Sequence, residues 1–349
     1  MKILVTGGNG FIGSHLCNRL VKDGHDVFSL DTFVPEIHPG GMPNYDMDSK
    51  VECIIGDIRK SATLRLVNDV DVIYHYASLV SVFRSMQEIH RFTDHNCLGT
   101  ATLLEAIIAR KEPLARLIVA ASCSQYGEGE YRCDDCGVVE FTRRPRVQLQ
   151  EKIWEALCPI CGEVLTPGAA RENHRQDPES VYSITKECSE KMCLSVGRIY
   201  EIPVVSLRFF NVYGAYQALH NPYTAVLAIF LSLMLKGKAP NVFEDGLQKR
   251  DFVHVDDVVD ASVLALENDA AVSESFNIGS DRGTALIEAV EILREHTNFP
   301  QVVPSNEYRN GDIRHLFGSI DKARDVLGYS PKVSLEAGLK AMCEWGLSQ

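Results

Sequence analysis

Between a short β-rich run, Lys2 to Thr6, and an apolar stretch of helical spacing, Phe11 to Asp23, stand three glycines in the pattern G-x-x-G-x-x-G: Gly7, Gly10 and Gly13. Glycines there let the chain turn sharply after a strand, approach a phosphate closely and pack the helix against the strand. The helix N-terminus adds unpaired N–H groups and the positive end of its dipole. A glycine turn that only packs a helix has the same spelling, so the context decides. Gly24 stops the helix, and Val27 to Leu30 form a second strand ending at Asp31. Asp31 lies 18 residues beyond Gly13, near the spacing of about 20 at which an acid bonds the ribose hydroxyls of a dinucleotide. A carboxylate at that place repels a 2′-phosphate, and Thr32 and Phe33 offer no guanidinium, so NAD is expected rather than NADP. Asp57, after Gly56 at the end of the third strand, is placed to bond an adenine edge.

Buried-type strands follow at Val51 to Ile55, Val72 to Tyr76, Arg116 to Ala121 and Val204 to Phe210, separated by helical stretches such as Cys97 to Arg110 and Tyr182 to Tyr200. Strands alternating with helices predict an α/β fold, a Rossmann doubly wound parallel sheet. The 349 residues suffice for two domains at roughly 100 to 200 residues each. Residues 1–207 are read as the dinucleotide-binding domain with an insertion at about 130–173. Residues 208–349, less regular after Asn211, are read mainly as a smaller substrate domain, with about 251–280 returning to the first. Lys and Arg total 35 against 47 Asp and Glu, a net charge of -12, which disfavours nucleic-acid partners. No apolar run approaches the roughly 18 residues of a membrane span, and the start MKILVTGGNG lacks secretion features, so a cytoplasmic protein without a membrane partner is expected.

The insertion has no long helical or strand period. It carries Cys133-x-x-Cys136 and Cys158-x-x-Cys161, 21 residues apart, each pair followed by glycine, at Gly137 and Gly162. Two thiolates on a tight turn occupy two corners of a tetrahedron, so two such turns predict a closed four-cysteine zinc ribbon whose metal is structural, having no open position. Paired redox dithiols, or a nucleic-acid ribbon using the run RRPR at Arg143, are the alternatives.

Tyr182 and Lys186 stand at i and i+4, on one helix face. An ammonium beside a phenol favours the phenolate and makes tyrosine a proton acceptor. Such a pair is common by chance and gains meaning from the glycine-loop half before it. With these residues the chain resembles the extended short-chain dehydrogenase/reductase superfamily, in its branch of nucleotide-sugar epimerases and dehydratases. The resemblance runs through TGGNGFIG at Thr6, GDI at Gly56, HYAS at His75, NCLGT at Asn96, SCSQYG at Ser122, YSITK at Tyr182, RFFNVYG at Arg208 and RDFVHVDD at Arg250. It implies NAD held by Gly7, Gly10, Phe11, Ile12, Gly13, Asp31, Asp57, Ile58, Ala77, Asn96, Tyr182 and Lys186. Catalysis is implied for Ser122, Tyr182 and Lys186, and contact with a nucleoside diphosphate sugar for Ser122, Ser124, Asn211, Arg250 and Arg314. A homodimer built on the helices near 96–110 and 182–200 is expected from the same likeness. Arg309 and Arg314 flank the turn NGDI, and guanidinium forks suit phosphate oxygens.

Dehydratases of the branch resemble one another in a Thr-Asp-Glu run at the strand end; this chain reads Ser122, Cys123, Ser124 and then Gln125. Without those carboxylates, epimerisation at C4 through a 4-keto sugar is expected. The segments YGEGEYRC, NPYTAVLAIF and VFEDGLQKRDFVHV are most similar to dTDP-L-rhamnose 4-epimerases. UDP-hexose or UDP-uronate 4-epimerases, and a non-catalytic binding scaffold, are the other readings. The separation of 60 residues from Ser122 to Tyr182 exceeds the usual family separation, and the insertion accounts for the excess.

Overall fold

The computed structural model describes residues 1–35, 37–38, 46–141, 143–220 and 225–349; residues 221–224 of the segment NPYTAVLAIF lie outside them. Strands β1 (Lys2–Thr6), β2 (Asp26–Asp31), β3 (Glu52–Ile55), β4 (Val72–His75) and β5 (Arg116–Ser122) are joined by Val204–Phe209 and Ser275–Ile278 in one seven-stranded sheet. Its order is Ser275–Ile278, Val204–Phe209, β5, β4, β1, β2, β3, and every pairing is parallel. This is the doubly wound arrangement, with its topological switch between β1 and β4.

Successive strand residues point to opposite faces, so the apolar runs must be covered twice. Ile3, Val5, Val72, Tyr74, Ile118 and Ala120 enter the core under helices Phe11–Lys22 and Val255–Glu267. Leu4, Ile73, Leu117 and Val119 enter the other core, under Gly99–Ile108 and Val181–Tyr200. Each such fully buried aliphatic side chain contributes roughly 1.5–3 kcal/mol. Ser180 caps the second of these helices, its hydroxyl accepting from the Ser183 amide at 3.1 Å, and places Tyr182 and Lys186 in the first turns. A stretch of π-helix, Thr93–Leu98, precedes Gly99–Ile108 and carries Asn96.

After the sheet's fifth strand the chain leaves to form the cysteine module. Glu130–Cys133 lies between Gly137–Val139 and Thr166–Gly168 in a small antiparallel sheet. Tyr131, Cys133, Val139, Ala156, Cys158 and Leu165 pack together as its own small core, where the sequence showed no period. The turns are too short for periodicity to register.

Beyond Asn211 a further apolar cluster forms from helices Val226–Leu235, Leu286–Thr297 and Leu335–Leu347, including Leu231, Leu293, Leu339 and Met342. Lys249–Arg250 pairs parallel with His315–Leu316 and antiparallel with Thr284–Ala285. Among the described residues no helix is long and apolar enough to cross a membrane.

Candidate active site

The glycine loop is built as a cradle. Gly7 adopts φ +71°, and a Cβ there would lie 2.8 Å from the Ala77 backbone. A Cβ on Gly13 would stand 2.2 Å from the Gly7 carbonyl, so neither position admits a side chain. Gly10 starts helix Phe11–Lys22 without any side-chain cap, which leaves its first N–H groups directed at whatever occupies the loop. Asp31 ends β2 with its carboxylate fixed by the amides of Asn9, at 3.2 Å, and Phe33, at 3.1 Å. Asn9, which the sequence reading passed over, is buried, and its Oδ1 accepts from Ser29. It ties the loop to β2.

Asp57 is bound by Arg59, whose Nε lies 3.0 Å from both carboxylate oxygens, and this holds its carboxyl below the usual range. Arg59 also pairs with Asp94; nothing in the sequence spacing marks this tie. Ile58 is buried against Gly99, where a Cβ would come within 2.7 Å of it. Asn96 is only 2% exposed, and its amide is spent on the protein. Its Nδ2 donates to Thr185 Oγ1 at 2.9 Å and to the Leu79 carbonyl at 3.1 Å, and its Oδ1 accepts from the Leu79 amide at 2.8 Å. Asn96 thereby ties the Ala77–Leu79 backbone to the helix of Tyr182.

At the carboxyl end of β5, where sheets of this type bind ligands, the Ser122 hydroxyl lies 2.9 Å from Ser124 Oγ and is near enough to the Tyr182 phenol to favour its ionised form. Lys186 is buried on the same helix. Burial pushes the phenol up to about 12, against the pull of Ser122, and brings the Lys186 ammonium down to about 8. In the free protein desolvation is the largest influence on the phenol and raises it. His75, beneath, is brought down to about 3 by burial and by Lys186. Its ring joins Thr6 and Thr100, each at 2.9 Å.

Asn211 opens the strand Asn211–Tyr213, its amide donating to the Asp251 carbonyl. Arg250 is partly buried, with its guanidinium 3.6 Å from Asp312. Arg314 does not fit its expected place against a diphosphate. It is 0% exposed, and its guanidinium is taken by Glu155, Glu244 and Asp245. Arg309, on the other side of the NGDI turn, is exposed and stacked on Phe243, 4.1 Å from the ring centroid. Spacing alone did not separate the two arginines.

In the cysteine module the sulfurs of Cys133, Cys136, Cys158 and Cys161 lie within 4.8 Å of one another, Cys133 and Cys161 at 3.5 Å. A tetrahedral zinc with bonds of about 2.3 Å needs sulfurs about 3.8 Å apart, so the donor set fits that ion. Gly137 and Gly162 both take positive φ, 79° and 84°, as the turn after each pair requires.

The model of the NAD dependent epimerase/dehydratase family matches residues 3–146 and 158–279. The chain belongs to this family. The match passes over residues 147–157, between the two cysteine pairs. Over 347 residues the chain is 31% identical to dTDP-L-rhamnose 4-epimerase of Burkholderia thailandensis, covering 99% of this chain and 94% of that one. A putative UDP-glucose 4-epimerase of Methanocaldococcus jannaschii is also 31% identical, with 98% and 97% covered. Among solved structures, UDP-glucuronic acid 4-epimerase of Bacillus cereus in complex with UDP-glucuronic acid and NAD superposes with a TM-score of 0.79 at 29% identity, covering 99% of each chain. UDP-glucose 4-epimerase of Thermotoga maritima with UDP-glucose gives 0.78 at 30%, covering 99% of this chain and 98% of that one.

Proposed function

We propose that this chain epimerises a nucleoside diphosphate sugar at C4 through a transient 4-keto sugar, with dTDP-L-rhamnose the favoured substrate and NAD the cofactor. The observation that carries the reading is Ser122 and Tyr182 in contact at the sheet's carboxyl edge, with Cys123 and Ser124 where a dehydratase has carboxylates. Gly7, Gly10, Phe11, Ile12, Gly13, Asp31, Asp57, Ile58 and the Ala77 backbone form the NAD wall. NAD, when bound, supplies the site with a reversible hydride acceptor. Tyr182 takes the C4 hydroxyl proton and returns it to the opposite alkoxide. Ser122, with Ser124 beside it, orients the sugar oxygen, and Lys186 supplies positive charge under the phenol. Asn211, Arg250 and the exposed Arg309 form the side that meets sugar and diphosphate. Residues 208–349 supply most of that side, while Val255–Glu267 and Ser275–Ile278 belong with the NAD half, since they complete its sheet and core. UDP-glucose and UDP-glucuronate are the second reading, supported by the Thermotoga and Bacillus structures.

The test follows hydrogen. In this mechanism the carbon-bound hydrogen returns to the carbon it left, and Tyr182 handles only an oxygen-bound proton. Sugar turned over in heavy water is therefore expected to carry no deuterium on carbon, read by mass spectrometry and proton NMR. A dehydratase, or an epimerase acting beside a C3 or C5 carbonyl, ionises a carbon-bound proton and exchanges it with solvent. Stoichiometric deuterium at C3, C5 or C6 would overturn the C4 reading.

The same reading places one structural zinc on Cys133, Cys136, Cys158 and Cys161. It also includes a homodimer. Val80, Phe83, Met86, Ile89, Leu98 and Ile184, each more than half exposed, make an apolar surface around helix Val181–Tyr200, larger in character than scattered surface residues. Sedimentation of the purified protein is expected to give twice the mass of the 38.8 kDa chain; a monomer at micromolar concentration would reject it.

A further inference from the structure

The cysteine module packs against the segment that holds Arg250. The Arg250 guanidinium donates to the carbonyls of Lys249, at 2.9 Å, Arg314, at 3.1 Å, and Ile313, at 2.6 Å. Its direction is therefore set by the main chain around 313–314. That main chain is gripped from the far side. Arg314 donates to Glu244 at 2.9 Å and to Asp245 at 2.7 and 2.9 Å, and also pairs with Glu155. His315 Nδ1 faces the Lys249 amide at 3.1 Å and accepts from it, so Nε2 carries the proton and donates to Glu155 at 2.9 Å. Arg144 closes the ring: it bonds Glu244 at 2.9 Å, the Asp312 carbonyl at 2.9 Å and the Trp154 carbonyl at 2.9 Å. Arg144 and Glu244 are each about 1% exposed.

We propose that Glu155 and Arg144, contributed by the cysteine module, are positioning residues for Arg250 and so set the grip on the nucleoside diphosphate; this rests on the assignment of Arg250 to that group. Glu155 stands three residues before Cys158, on the segment that leads into the turn of the second cysteine pair. Its two oxygens meet two different residues, His315 of the strand paired with Lys249–Arg250 and Arg314 just before it. If adhesion were the whole role, apolar packing of equal size would hold the module as well, because two buried arginines against three carboxylates carry a desolvation cost. What such a network supplies is direction, since forked guanidinium–carboxylate bonds hold only in a narrow geometry. The glycine cradle and Asp31 take no part in it. The module should therefore act on the substrate side and leave the cofactor side alone.

The experiment titrates the full-length protein with UDP and with dTDP as probes, and separately with NAD, by calorimetry. Zinc content and thermal melting are recorded for every variant. Glu155→Ala is expected to weaken the nucleoside diphosphates roughly tenfold to hundredfold, the scale of losing a charged hydrogen bond, with NAD affinity held within about twofold. In turnover it should raise KM with little change in kcat, and Glu155→Gln, which keeps the shape and one donor–acceptor pair, should recover part of the loss. Arg250→Ala run alongside separates the two layers. If Arg250→Ala leaves UDP and dTDP binding unchanged, the diphosphate assignment itself falls. If Arg250→Ala weakens them while a folded Glu155→Ala does not, the positioning role falls and the assignment stands. Should Glu155→Ala not fold, Glu155→Gln with unchanged nucleoside diphosphate affinity and unchanged KM would overturn the proposal. Equal losses for NAD and for UDP in a folded variant would also overturn it.

Discussion

Tyr182→Phe is expected to lower turnover by about 10²- to 10⁴-fold, the range for losing a positioned acid/base group, while NAD still binds. The ring of Tyr182 is 9% exposed and packed among neighbours, so phenylalanine fills the same space and the deletion is confined to one oxygen. When that oxygen is removed, Ser122 retains Ser124 at 2.9 Å, and the strand end keeps its geometry. Because burial raises the phenol to about 12 in the free protein, ionisation near neutral pH demands added positive charge beside it. Lys186, one turn along the same helix, is the proposed source of that charge; it is itself brought down to about 8 by burial, so its ammonium is lost as pH rises through that value. The wild-type pH–rate profile should therefore fall on its alkaline side, and a lysine substitution that removes the charge should erase that limb. Turnover of Tyr182→Phe within about threefold of the wild type would reject the assignment.

Much of this was legible in the chain because the relevant constraints are local. Gly7 and Gly13 had to be glycine for reasons a strand-turn-helix spelling already contains, and the structure adds the atoms they would strike, the Ala77 backbone and the Gly7 carbonyl. The strands were visible because a parallel sheet covered on both faces reads as an unbroken apolar run, as in Ile3, Leu4 and Val5. The pairs of cysteines carried their geometry in their spacing. Features set by distant partners were not legible. Arg309 and Arg314 are five residues apart in similar company, yet three carboxylates from elsewhere in the chain claim Arg314. The bonds from Asn96 to Thr185 and Leu79, partners 89 and 17 residues away, likewise leave no mark in the local sequence. Spacing shows an ammonium one turn from Tyr182 and not how much water burial removes from the phenol. Ser275–Ile278, the sheet's outer strand beside Val204–Phe209, did not read as an apolar run because Asn277 interrupts it, and that side chain is buried only through distant partners, Tyr126 and the Ala170 carbonyl.

Loss of the four-cysteine site is the second large effect expected. Cys133→Ser together with Cys161→Ser should take zinc from about one per chain to none and open the module while the seven-stranded sheet stays folded. The module's own apolar core is six residues, and its sheet strands are three or four residues each, far below what a β structure needs to stand alone in water. Structural zinc in comparably small folds contributes about 10–16 kcal/mol of apparent binding free energy at neutral pH, so without it the module has little to oppose its chain entropy. Trp154, 9% exposed and within the module, reports the event. Its fluorescence should shift to the red and rise in accessibility to quencher, while Trp345 of the C-terminal helix Leu335–Leu347 is undisturbed. Hydrogen exchange should show protection lost across residues 130–168 and kept in β1, β4 and β5, because those strands draw their core from Phe11–Lys22, Gly99–Ile108 and Val181–Tyr200 and not from the module. Opening also strands Arg314 and Glu244 without Arg144 and Glu155, so exchange should rise along His315–Leu316 next. A reduced wild-type protein prepared without chelator that holds no metal, or a double variant whose module keeps its protection, would show that the four sulfurs do not hold the fold of this region.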